Sequence, residues 1–177
     1  MTTFAIAKPA KPSGELDSVA EEYKGHYWGD LAREASTGSD RGLVLTATAI
    51  VESMLKDLLL SDPGEPQPDM QALIAPRGSL CHRNALVDYL DQYGFMTHRE
   101  AAAVRSLFNC ADRHFDWSSK GTLVDTQWSL FEPLLGFSEH ADLAHTAEKS
   151  RAGFFWSCWE ITNSLLTCIA ERESGLA

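Results

Sequence analysis

The chain has 177 residues and a mass of 19.5 kDa, enough for one domain with a short arm. Its 44% apolar and 23% charged residues exclude a wholly disordered chain, a collagen-like repeat and a disulfide miniprotein. Fifteen Lys and Arg against 25 Asp and Glu leave a net charge of −10. That balance argues against binding nucleic acid through its phosphates, which demands a surplus of cations, and suits a basic partner.

Met1 to Pro12 mixes Ala, Lys and Pro and reads as the start of a flexible arm over residues 1–13, ahead of one helical domain over 14–177. From Glu15 to Ala35, Leu16, Val19, Ala20, Tyr23, Tyr27 and Leu31 recur at helical intervals. Gly25 and Gly29 favour a break near His26. The next segment is the strongest helix. Ser39 or Asp40 caps it, and Leu43, Ala47, Ile50, Val51, Met54, Leu55, Leu58 and Leu59 form a stripe wide enough for two neighbours. Pro63, Pro66 and Pro68 then predict a stiff connector.

A third helix is expected over Ser79 to Tyr93, with Leu80, Leu86, Val87 and Leu90 inward and Gly94 at a left-handed C-cap. Thr97 and Glu100 form a capping box for a fourth, through Arg113, that buries Ala101, Val104, Leu107, Phe108 and Ala111. A loop over His114 to Gly121 leads to a helix over Leu123 to Leu135, broken at Pro133 and Gly136. A short polar helix over Ser138 to Lys149 and a final one over Arg151 to Glu173 complete the chain. No segment alternates with the two-residue period of a sheet, so the expected class is all-α, a bundle of six or seven helices.

The longest apolar runs, such as Leu58 to Leu60, fall far short of the roughly 18 residues of a membrane span. No basic stretch followed by an apolar core opens the chain, so neither membrane nor export is expected and the expected location is cytoplasmic. Cys81, Cys110, Cys158 and Cys168 form no C-x-x-C and read as reduced, buried thiols. His140 and His145 are five apart, about 140° around a helix, and do not converge on a metal. No phosphate loop, zinc-protease helix or nucleophile elbow is present, and no cofactor, metal or catalytic residue is expected.

Glu52 carries two readings. It forms a solvent-edge pair with Lys56, four residues on, or a buried carboxylate that draws Arg41, Arg83 or Arg105 from elsewhere. Trp156 and Trp159, three apart on the last helix, share a face; with Trp117 and Trp128 they are candidates for a partner surface or for core.

Ser39-Asp40-Arg41-Gly42, with Leu45, Ala47, Ala49, Glu52, Leu55 and Leu58-Leu59, resembles the opening signature of the mannitol operon repressor (MtlR) family. Gly78-Ser79-Leu80 with Arg83, then Gly94-Phe95-Met96-Thr97 and Glu100, resembles its second block, and Arg151 with Phe154 its C-terminal block. The resemblance covers Ala35 to Ala170 and implies a cytoplasmic, non-enzymatic regulator of transcription. Such a protein would work through a protein partner, and as a homodimer, without a DNA-reading helix. The family is similar to the HEPN helical bundles, whose active members cleave RNA with an R-x(4–6)-H motif. Aligned from Gly94, that Arg falls on Ala111 and that His on Asp116. A ribonuclease or toxin component would have to use Arg105 or Arg113 with His114 instead. A third reading is an acidic inhibitor that blocks a basic nucleic-acid-binding partner.

Overall fold

The computed structural model describes residues 26–61, 67–114, 123, 132–136 and 147–174. Its described residues form seven helices and no strand, so the protein is an all-α bundle. The N-terminal arm and the residues before His26 lie outside the described residues, as do Trp117, Trp128, His140 and His145.

Helix α1 spans Tyr27–Thr37, starting where the glycines predicted a break. Helix α2 spans Asp40–Leu60, and the Ser39 hydroxyl accepts the Gly42 N–H at 2.9 Å as its cap. Its apolar positions form a wide stripe, and α1, α3 (Gln67–Ile74), α4 (Arg83–Gln92), α5 (His98–His114) and α7 (Ala147–Glu173) pack against it. Leu43, Val51, Leu55, Leu58 and Leu59 are fully buried there.

Helix α3 replaces part of the expected proline connector. Pro68 stands in its first turn, where a missing N–H costs no helical hydrogen bond. The expected helix from Ser79 instead starts at Arg83, because residues 75–82 form a turn. In that turn the Leu80 N–H reaches back to the Leu73 carbonyl at 2.9 Å. Gly78 is forced, since a Cβ there would lie 2.0 Å from the same carbonyl oxygen.

Helix α4 ends as predicted. Gly94 has φ +71°, the Phe95 N–H bonds the Leu90 carbonyl at 2.8 Å and the Gly94 N–H bonds Asp91 at 3.2 Å, a Schellman cap. The capping box of α5 also forms: the Thr97 N–H donates to Glu100 Oε2 at 2.6 Å, and the Glu100 N–H donates to Thr97 Oγ1 at 3.3 Å. All five apolar positions expected to face inward on α5 are buried.

Helix α6, Glu132–Leu135, is one turn with Pro133 inside it rather than ending it, and Gly136 follows. The final helix starts at Ala147, four residues before the expected Arg151, so it takes up the end of the predicted polar helix. The rest of that predicted helix, and the predicted loop after His114, lie outside the described residues. Residues 152–159 of α7 are all buried, so this stretch is covered on every side. Its Ser157 and Thr162 hydroxyls donate to carbonyls one turn back, at 2.9 and 2.7 Å.

Candidate functional site

The most connected polar group joins the end of α1 to the starts of α2 and α7. Helix α1 ends with unpaired carbonyls, as every helix does. Arg151, in the first turns of α7, donates to three carbonyls there: Ala35 at 3.0 Å, Gly38 at 2.7 Å, and Glu34. The same guanidinium pairs with Asp40 Oδ1 at 3.1 Å, with about 20% and 17% of the two side chains exposed. Asp40 is the first residue of α2, where the helix dipole favours a carboxylate. Its other oxygen accepts the N–H of buried Leu123 at 2.8 Å. One ion pair thus ties together three helices and a connecting segment. Its chemistry is that of a clamp, since every donor direction in contact is spent on a carbonyl or carboxylate.

The arginines considered for a ribonuclease site lie on the α4–α5 face. Arg105 donates to Asp88 Oδ1 through Nε at 3.0 Å and Nη2 at 2.8 Å, and to Asp91 Oδ2 at 2.9 Å. The Arg105 hydrogen bond holds Asp91 below the usual carboxylate range; desolvation opposes this, and a contact from His98 adds to it. Arg83 pairs with Asp112 and sits 5.0 Å from the centre of the Phe108 ring. Arg113 is exposed near the end of α5. Positions 105 and 114 are nine apart, about 180° around α5, so the helix does not bring them together.

Asp88, Asp91 and Asp112 are absent from the sequence reading. Their signal was the hairpin itself: α4 and α5 run antiparallel either side of the Gly94–Thr97 turn, which sets Arg105 near Asp88, and Asp91 stands one turn on from Asp88 on the same face of α4.

Glu52 follows its solvent-edge reading. Lys56 Nζ donates to Glu52 Oε1 at 2.7 Å, the carboxylate side chain is 31% exposed, and neither Arg83 nor Arg105 is its partner. Among the described residues the buried carboxylate is Glu100, whose Oε1 accepts from Ser164 on α7 while Oε2 serves the capping box. Trp156 and Trp159 correct the partner-surface expectation. They are 3% and 2% exposed and pack edge to face at 5.9 Å, and Trp159 also lies 4.2 Å from Trp28. A Trp pair on a helix covered all round has no outer face to offer.

Burial pushes the Cys110 thiol up to about 12 and the Cys158 thiol higher still. Both thus behave as the expected apolar thiols, while Cys81 and Cys168 are half-buried.

Among the described residues lies an apolar groove not anticipated from the sequence. Tyr27, Ala49, Ile50, Ser53, Met54 and Asp57 line it with Leu166 and Ile169 of α7, around a volume of about 440 Å³. Comparison with family models, curated proteins and solved structures returns no match. Among the described residues, no helix is long and apolar enough to cross a membrane.

Proposed function

We propose that the protein is an MtlR-like regulator of transcription that acts in the cytoplasm through protein contacts, without catalysis and without reading DNA itself. The observation that carries this reading is the Asp40–Arg151 clamp. Asp40 belongs to the opening signature that resembles the mannitol operon repressor family, and Arg151 to its C-terminal block. The two are 111 positions apart yet meet at 3.1 Å. Residues quoted for a resemblance have a physical reason to occur together when they hold one junction.

Charge supports the mode of action. A chain of −10 repels nucleic-acid phosphates and attracts basic protein surfaces. Arg105, shared between two carboxylates, has little positive charge left for a scissile phosphate, which weighs against the ribonuclease reading.

Deleting the gene should change the transcripts of sugar-alcohol uptake genes, and the purified chain should neither shift operator DNA nor cleave RNA. Unchanged transcripts would remove the regulatory reading. A mobility shift that weakens steeply with salt, or cleavage abolished by His114→Ala, would replace it with a nucleic-acid function. The same acidic balance favours a second reading, the inhibitor of a basic nucleic-acid-binding protein. That reading predicts unchanged transcripts together with a protein partner released by competing polyanion.

A further inference from the structure

We infer that α2 carries a self-complementary surface on which a second copy of this chain docks antiparallel, centred on Ala49. Although α2 is the most apolar helix by sequence, Leu45, Ala49, Ser53 and Asp57 are exposed along it at four-residue spacing, and half-buried Arg41 extends the row by one more turn. Four-residue rows are the ridges of a helix surface. Two such ridges laid side by side cross at about −50°, the commonest packing class.

A two-fold axis through Ala49 pairs positions symmetrically about it. Ala49 meets the partner's Ala49, a small contact that lets the backbones approach. Leu45 meets the partner's Ser53, and Arg41 meets the partner's Asp57 at both ends of the contact. Opposite charges therefore fall opposite each other twice, as an isologous interface requires. A parallel arrangement would set Arg41 against Arg41 and Asp57 against Asp57.

Shape agrees with charge. Leu45 is 41% exposed, one of three large apolar side chains so exposed among the described residues. The groove beside Ser53, walled by Ile50, Met54, Leu166 and Ile169, lies where the partner's Leu45 would enter. Knob and hole occur on the same helix, one on each side of the axis, so each copy supplies both. Neither feature depends on the regulatory reading or on the junction that carries it.

Light scattering on the full chain over a concentration series should show a dimer. Asp57→Arg, which sets two arginines against each other, should weaken it at least about tenfold. Combining it with Arg41→Asp restores opposite charges and should restore the dimer, with melting temperature and helical circular dichroism as folding controls. Ala49→Cys, with the residue on the axis, should form an interchain disulfide under mild oxidation where wild type does not. A monomer at every concentration would overturn the inference and leave the groove to another segment or protein. So would a dimer indifferent to Asp57→Arg, or an Ala49→Cys chain that fails to cross-link. Should a charge variant fail to fold, the Ala49→Cys result decides alone.

Discussion

Arg151 holds the junction of α1, α2 and α7. Replacing it by Met keeps much of the stem but takes the arginine donor from the Ala35 and Gly38 carbonyls, leaves the Glu34 carbonyl only the Gly38 N–H, and leaves the Asp40 carboxylate only the Leu123 N–H. Buried or half-buried acceptors without donors are costly, so Arg151→Met should lose about 2–4 kcal/mol in a urea melt. Arg151→Lys should recover only part, because an ammonium cannot span three carbonyls and a carboxylate as a planar fork does. Asp91 yields a pH prediction. Its folded pKa is depressed, so its stabilisation is fully present above the unfolded value of about 3.9 and is lost as pH falls through the lower folded value. Asp91→Asn should therefore be less stable at pH 7 and show a flatter loss below about pH 4. Thiol titration of the native chain should spare Cys110 and Cys158, whose thiolates burial disfavours, and modify Cys81 or Cys168 first. Local residue roles such as the Ser39 cap and the Thr97–Glu100 box were legible because donor and acceptor lie within one turn. The Asp40–Arg151 pair was not, because only the folded chain closes a separation of 111 residues.

At the scale of elements, periodicity served where one face is buried and failed where none is exposed. Helix α5 shows a clear apolar stripe, and every inward position assigned to it is covered. Helix α7 is covered on all sides between residues 152 and 159, so the shared face of Trp156 and Trp159 carried no information about solvent. Helix α2 has the opposite lesson. Its apolar stripe is real, but Leu45 lies among the exposed positions, and the carboxylate of Glu52 belongs to the same outward side. Helix α3 was hidden because three prolines in six residues read as a connector, although a proline in a first turn is compatible with a helix. Leu55, fully buried at the middle of α2, tests the packing directly. Leu55→Ala should cost about 2–5 kcal/mol in a chemical melt, the spread reflecting how far five neighbouring helices can close the cavity. A neutral result would mean that α2 is rotated relative to its neighbours.

At the scale of the whole molecule, charge sets the remaining behaviour. Ten excess negative charges on one small bundle repel one another over distances beyond single contacts. Salt acts on two opposed terms: it screens this repulsion, and it weakens attractive pairs such as Arg105 with Asp88 and Asp91. The pairs are in contact at 2.8–3.0 Å, well inside the Debye length of about 10 Å at 0.1 M, whereas much of the repulsion spans comparable or longer distances. Screening therefore removes more repulsion than attraction. The melting temperature should rise by about 2–4 °C as sodium chloride is raised from low to moderate ionic strength, the shift that about 1 kcal/mol produces in a chain of this length. A fall over the same range, read by calorimetry, would mean that the contact pairs outweigh the net charge. Because two −10 copies also repel, moderate salt should favour the α2-mediated dimer until it begins to screen the Arg41–Asp57 contacts themselves.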